Sequence, residues 1–252
     1  MVKNNTSSLF GYDFECSSMD EMVLKIKKLI QTDKKIHLHT VNVDHIVLAY
    51  KDILFEKVIR EADLVVADGM PIVWLSKLKK KNIPERITGI DLSKELCAKS
   101  SSYNFKLYFL GAGKGVGEKA KKNLEAMYPG VQIVGHYSPS REEINNEQSS
   151  KQIIKQINNS GANILLVALG APKQEFWISQ YKEELNTNLN IGVGATLDFM
   201  ANTVNRAPVW MQKSGLEWFY RLIQEPKRMI NRYLVQDSIF IRLAFKEIFQ
   251  RK

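Results

Sequence analysis

Short, almost wholly apolar runs alternate along this chain with segments whose apolar residues return at helical spacing, and few folds accommodate that alternation. The runs are Ile36–Val41, Asp63–Ala67, Phe105–Leu110, Val131–Gly135, Asn163–Leu169 and Asn190–Val193. Between them lie Asp44–Arg60, Pro71–Lys80, Asp91–Ser100, Val116–Tyr128, Arg141–Asn159 and Pro172–Glu184. Strands that lack polar alternation suit burial on both faces, as in a parallel sheet covered by helices. The chain therefore reads as α/β, a Rossmann-like, mainly parallel sheet flanked by helices. From Pro208 onward the strand signals stop. Val209–Gln224, Lys227–Val235 and Ser238–Phe249 read as three helices divided at Pro226 and Asp237. Residues 1–204 are assigned to the α/β body and 205–252 to a basic, amphipathic, C-terminal α-helical appendage.

Composition narrows the class. The 252 residues are 44% hydrophobic and 25% charged, as in ordinary globular domains, which excludes disordered, collagenous and disulfide-scaffold classes. Two full Rossmann domains would need a longer chain. No period of 20–50 residues repeats. The two cysteines, Cys16 and Cys97, lie far apart, and the opening residues lead into no apolar signal core, so a cytoplasmic setting is expected. No run approaches the roughly 18 apolar residues that span a bilayer. The net charge is +9, and it is uneven. From Arg206 to the end, ten basic residues face Glu217, Glu225, Asp237 and Glu247, so two thirds of the excess lies in the tail. That asymmetry points to an anionic partner.

Ligands of parallel sheets bind outside the carboxyl ends of the strands. Asp68 follows the run Leu64–Ala67, where it is either a general base toward a hydroxyl nucleophile or a helix cap before Met70 and Pro71. Thr40 and Asn42 end the first run with common parity, as pocket residues or as sheet-edge caps. Gly111-Ala112-Gly113-Lys114-Gly115 invites a dinucleotide assignment, but Val116 stands where the third glycine belongs. The next strand ends in Gly135-His136, without a carboxylate for a ribose. A phosphate contact through backbone N–H groups and a plain tight turn both stay open there. Walker A fails because Gly115 follows Lys114. Gln174, in Pro172-Lys173-Gln174-Glu175, reads as a sugar or base contact, and Asp198 as a helix cap or a ribose contact.

His37, His39 and His45 lack a metal-ligand pattern with cysteine or carboxylate, so no metal site is assigned. No Asp-x-Asp occurs to hold a divalent ion on a diphosphate. A departing diphosphate would have to be stabilised by cations of the chain, with Arg86, Lys114, Lys173 and the tail arginines as candidates. The interleaved aromatic and basic residues of the tail fit a helical pair with its own core, or an interface with anionic lipid. No recognised nucleic-acid motif accompanies them.

The ordered series Thr40-Val41-Asn42-Val43-Asp44, Ala67-Asp68-Gly69-Met70-Pro71, Glu85-Arg86-Ile87-Thr88-Gly89-Ile90-Asp91, Phe109-Leu110-Gly111-Ala112, Leu169-Gly170-Ala171-Pro172-Lys173-Gln174-Glu175 and Gly192-Val193-Gly194-Ala195-Thr196-Leu197-Asp198 resembles the WecB/TagA/CpsF family of bacterial glycosyltransferases. Arg206-Ala207-Pro208 and Gly215–Leu222 extend the resemblance into the tail. It implies inverting transfer of N-acetylmannosamine, or a related hexose or uronate, from a UDP-sugar to a sugar on a polyprenyl diphosphate such as undecaprenyl diphosphate. It implies no cofactor and no metal. The setting would be peripheral, on the inner face of the bacterial cell membrane, in cell-wall or surface-polysaccharide synthesis. Carried onto these positions, Asp68 becomes the base and Thr40 its positioning neighbour. Asn42, Arg86 and Gln174 line the pocket, Gly111 and Asp198 lie near the nucleotide, and Arg206, Arg221 and Arg228 close over the diphosphate beside an anionic membrane surface. Assembly into a homo-oligomer is left open. The rivals are a nucleotide- or nucleic-acid-binding module and an NAD(P)-dependent oxidoreductase.

Overall fold

Burial on both faces, inferred from the unbroken apolar runs, is what the computed structural model shows. It describes residues 5–81, 83–224, 226 and 237–249. The six anticipated strands are β3 (Ile36–Val41), β4 (Leu64–Ala67), β5 (Lys106–Gly111), β6 (Gln132–Tyr137), β7 (Ile164–Ala168) and β8 (Leu189–Gly192). Every residue of β3, β4, β7 and β8 is buried. Two short strands were not anticipated, β1 (Thr6–Leu9) and β2 (Tyr12–Glu15). They form an antiparallel hairpin whose two-residue turn, Phe10-Gly11, has both φ angles positive, as a tight hairpin turn requires. The sheet order is β1-β2-β4-β3-β8-β7-β5-β6, parallel from β2 onward.

Side-chain parity divides the core. Leu38, Leu64, Val66, Leu107, Phe109, Leu166 and Ile191 pack against α1 (Met19–Ile30), α5 (Gly89–Ala98) and α7 (Val116–Met127). On the other face, Val41, Val65 and Ala67 meet α2 (Val43–Lys51), α3 (Ile53–Arg60) and α4 (Met70–Leu78). Further along that face, Leu110, Leu165 and Val167 meet α9 (Glu147–Asn159) and α10 (Lys173–Tyr181). The remaining helices of the body are α6 (Ser100–Tyr103), α8 (Arg141–Asn145) and α11 (Thr196–Met200).

Helix boundaries follow local capping. The segment expected as one helix over 44–60 breaks at Asp52, which ends α2 and whose carboxylate caps α3 through the N–H groups of Leu54 and Phe55. Arg141–Asn159 breaks likewise at Asn146, the cap of α9. The unanticipated α1 opens with a reciprocal capping box between Ser18 and Glu21.

The tail contains α12 (Val209–Lys213), α13 (Glu217–Gln224) and α14 (Asp237–Phe249). The expected single helix over 209–224 is interrupted at Gly215, whose φ is +76°. The helix expected over 227–235 lies outside the described residues. Helix α14 docks on the body: Phe240 joins the core beside α2, and the Lys79 ammonium pairs with Glu247 Oε1 at 2.7 Å.

Candidate functional site

The site forms where strand tips converge. β3 and β4 end in register, Val41 opposite Ala67, and the Asp68 N–H donates to Val41 O at 2.8 Å. Asp68 is thereby fixed at the carboxyl end of β4 against the end of β3. Gly69, not Asp68, occupies the cap position of α4, and its backbone makes no side-chain cap bond. The Ile87 N–H donates to Ala67 O at 2.9 Å, which brings the Arg86 loop to the same strand tip. The buried Thr40 hydroxyl donates to Gly192 O at 3.3 Å and so joins the ends of β3 and β8.

Other candidates are occupied by structural bonds. The Asn42 amide oxygen accepts from the His45 N–H and caps α2. Gln174 is buried, and its Oε1 accepts from the Gly170 and Gly194 N–H groups at 3.1 and 3.0 Å. It ties together the loops that leave β7 and β8. Its Nε2 donates to Glu175 Oε1 at 2.7 Å.

Gly111 lies farther along. Four strand intervals separate β4 from β5, which at about 4.8 Å each puts Gly111 about 19 Å from Asp68 across the sheet. The chain leaves β5 outward to β6 and leaves β7 inward to β8, so their ends diverge into the crevice typical of a topological switch point. Gly111 has φ +105°, and a Cβ there would sit 2.5 Å from Ala168 O, so close backbone approach requires glycine. Asp198 stands in the first turn of α11, partly buried, and that burial raises its pKa.

The tail reaches this end of the sheet through ion pairs. Arg206 Nη2 donates to Asp91 Oδ2 at 2.9 Å and its Nε to Glu217 Oε1 at 3.4 Å, while Arg86 Nη1 donates to Glu217 Oε2 at 3.1 Å. Thr88 caps α5 and its hydroxyl donates to Asp91 Oδ2 at 2.7 Å. Burial pushes the Asp91 pKa upward, but the bonds from Arg206 and Thr88 outweigh it and hold this carboxyl below its ordinary value. A Cβ on Gly215 would lie 3.1 Å from the Trp74 ring and 3.2 Å from Met70 Cγ, so the turn between α12 and α13 rests on the helix that follows Asp68. Around it Trp74, Leu78, Trp210, Trp218 and Phe219 are exposed. Arg228 lies outside the described residues, and for Arg221 only the backbone is described.

A second constellation lies beneath the strand tips. His37 and His39 stack at 5.7 Å, His39 and His45 meet edge to face at 5.1 Å, and the Nε2 atoms of His39 and His45 each lie 4.0 Å from Glu175 Oε1. Three histidines read as scattered along the chain are therefore one cluster, and the expectation that no carboxylate joins them is corrected. Sequence inspection missed it because Glu175 arrives from a distant crossover. Burial lowers the pKa of His37 and His45 to about 4 and that of His39 well below its ordinary value. Burial raises Glu175 to about 7. Both His39 ring nitrogens and Glu175 Oε2 are buried without a hydrogen-bond partner among the described residues. Such atoms cost roughly 1–3 kcal/mol each when left unsatisfied.

The Arg86 loop and the strand ends carrying Thr40 and Asp68 are thus brought together, Gln174 joins the loops that leave β7 and β8, and Gly111 stands farther across the sheet. Thr88, Asp91 and Glu217 escaped notice as site residues, although the Thr88–Asp91 spacing is a cap signal. The arrangement places a carboxylate and a guanidinium-bearing loop at the carboxyl ends of β3 and β4, about 19 Å across the sheet from Gly111. Residues 7–252 match the family model described as glycosyl transferase WecG/TagA/CpsF family. A Bacillus subtilis (strain 168) protein is 32% identical over 197 residues, 77% of this chain and 75% of its own. A Staphylococcus aureus (strain MRSA252) protein is 31% identical over 232 residues, 90% and 89% of the two chains. Both are named N-acetylglucosaminyldiphosphoundecaprenol N-acetyl-beta-D-mannosaminyltransferase.

Proposed function

The chain belongs to the WecG/TagA/CpsF family of glycosyl transferases, and from that membership we propose that it moves N-acetylmannosamine, or a related hexose or uronate, from UDP to a sugar on polyprenyl diphosphate. The names of its relatives support the acceptor class. The observation that carries the reaction is the position of Asp68, a carboxylate at a strand tip bonded through its N–H to Val41, with the Thr40 strand end and the Arg86 loop beside it.

In this mechanism the acceptor hydroxyl attacks the anomeric carbon from the face opposite the nucleotide. Asp68 takes the hydroxyl proton, the anomeric C–O bond to the diphosphate breaks, and UDP leaves with the bonding pair. Inversion follows from that single displacement. Arg86 and the tail arginines neutralise the charge that develops on the leaving diphosphate, with no metal on it. Thr40 and Gln174 act through the strand ends they hold. The nucleotide extends toward Gly111 and Asp198. The exposed Trp74, Trp210, Trp218 and Phe219 rest at the headgroup level of an anionic membrane, which brings the lipid-linked acceptor to Asp68. No helix among the described residues is long and apolar enough to cross a bilayer.

The test is transfer by purified full-length chain from UDP-N-acetylmannosamine to a short-chain polyprenyl-diphosphate N-acetylglucosamine. Formation of the disaccharide lipid with equimolar UDP is expected. UDP release without product, or no turnover with any UDP-sugar, would overturn the assignment.

A further inference from the structure

We propose that His39, His45 and Glu175 form a binding site for one divalent transition ion of the zinc type, held beneath the strand tips and separate from the reacting diphosphate. The three side chains come from β3, α2 and α10, and their potential ligand atoms all lie within 4.8 Å of one another. Each residue is more than nine-tenths buried. Tetrahedral bonds of about 2.0–2.2 Å to zinc set two ligand atoms about 3.3–3.6 Å apart. The two 4.0 Å separations from Glu175 Oε1 lie within about 0.7 Å of that spacing, and both exceed hydrogen-bond reach.

The surroundings are those of ligands held for a metal. His45 Nδ1 lies 3.0 Å from Thr40 O and 3.4 Å from the Asn42 N; the shorter contact is a hydrogen bond in the tautomer with the proton on Nδ1, which leaves the Nε2 lone pair toward Glu175. Metal-bound histidines commonly donate their other ring N–H to a backbone carbonyl in this way. Glu175 Oε1 is oriented by the Gln174 amide at 2.7 Å. An ion bound there gives the unpartnered His39 Nε2 and the Glu175 carboxylate a partner that no described residue provides. Two imidazoles and one carboxylate favour zinc or its neighbours over magnesium or calcium, which prefer all-oxygen shells. The Phe55 ring lies 5.8 Å from both His39 and His45 and walls the site with apolar surface. An ion here clamps β3, which carries Thr40, to α2 and to the first turn of α10, which carries Gln174.

The experiment uses full-length protein without a histidine tag, treated with chelator and titrated with Co²⁺ and then Zn²⁺. Expected are a visible Co²⁺ absorption band that saturates at a single equivalent, its loss on adding Zn²⁺, and a higher Tm with Zn²⁺ but not with Mg²⁺. His39→Leu, His45→Gln and Glu175→Gln should each abolish the band, whereas H136Q, at an exposed histidine, should keep it. Wild-type protein that takes up neither ion, which would mean the cluster holds only water and a proton, overturns the proposal, and so does equal binding by E175Q and H39L. The wild-type titration decides even where a variant fails to fold.

Discussion

Glu217 Oε2 accepts a hydrogen bond from Arg86 Nη1 at 3.1 Å, and through it a residue of the C-terminal appendage holds a guanidinium of the body at the carboxyl end of β4. Glu217 also receives Arg206, so one carboxylate orients two of the cations assigned to the diphosphate. Replacing Arg86 by Ala should lower kcat/KM about a hundredfold, the scale of losing one donor aimed at developing charge. Glu217→Gln, which keeps the shape and weakens the orientation, should lower it by about tenfold. Steady-state kinetics with varied UDP-sugar measures both, and wild-type constants for Arg86→Ala would remove that residue from the site.

Phe240 makes a separate prediction about the appendage. Its ring is buried against the α2 face and lies 5.7 Å from Phe10, so Phe240→Ala should cost about 3 kcal/mol. Urea unfolding reports the loss, and limited proteolysis should then cut faster within α14. Trp210→Ala and Trp218→Ala act on exposed rings and should change stability by less than about 0.5 kcal/mol. Their effect should appear as weaker co-sedimentation with phosphatidylglycerol vesicles. Unchanged vesicle binding in both variants would contradict membrane docking through this face.

Gly111→Ala should destabilise by about 3 kcal/mol or more, since it combines a positive φ with a Cβ 2.5 Å from Ala168 O. Gly113→Ala is the control, because a Cβ there meets Val116 Cγ2 at an ordinary 3.5 Å. Thermal unfolding of the two variants separates a backbone requirement from a general intolerance of the loop.

Much of this architecture is legible in residue order. Ile36–Val41 appears as a strand with the same bounds in sequence and structure, because an unbroken apolar run between polar segments admits little else. β1 and β2 are hidden because four-residue strands with mixed burial carry almost no periodicity, and Phe10 is an uncommon residue for a left-handed turn. The capping box at Ser18 and Glu21 was a readable signal for α1. Asp68, Thr40 and Arg86 are legible because each follows an apolar run or sits in a compact motif. The pairing of Glu217 with Arg86 and the meeting of Glu175 with His39 are not, since both depend on how distant crossovers pack.

The buried histidines set a pH dependence in chelator-treated protein. His37 and His45 titrate near 4 in the folded chain because burial disfavours their charge, against 6.5 when exposed. The folded state therefore binds fewer protons between pH 6.5 and 4, and stability is lost as pH falls through that window. Glu175, raised to about 7 by burial, acts oppositely, because its folded form retains a proton up to that pH and its contribution fades as pH rises. Three imidazoles outweigh one carboxyl, so Tm should fall below pH 6.5. Glu175→Gln removes the opposing term and should steepen that fall. A Tm that is flat from pH 6.5 to 4.5 would contradict the burial of neutral histidines.

The most direct measurement is the transfer rate of Asp68→Asn, alongside its affinity for UDP. A carboxamide keeps the size of the side chain at the tip of β4 but cannot take the acceptor proton. Turnover should drop by about 10²–10⁴-fold with UDP affinity and Tm near wild type, and added Mg²⁺ or Mn²⁺ should restore nothing. Near-wild-type turnover by Asp68→Asn would contradict the assignment of Asp68 as the base.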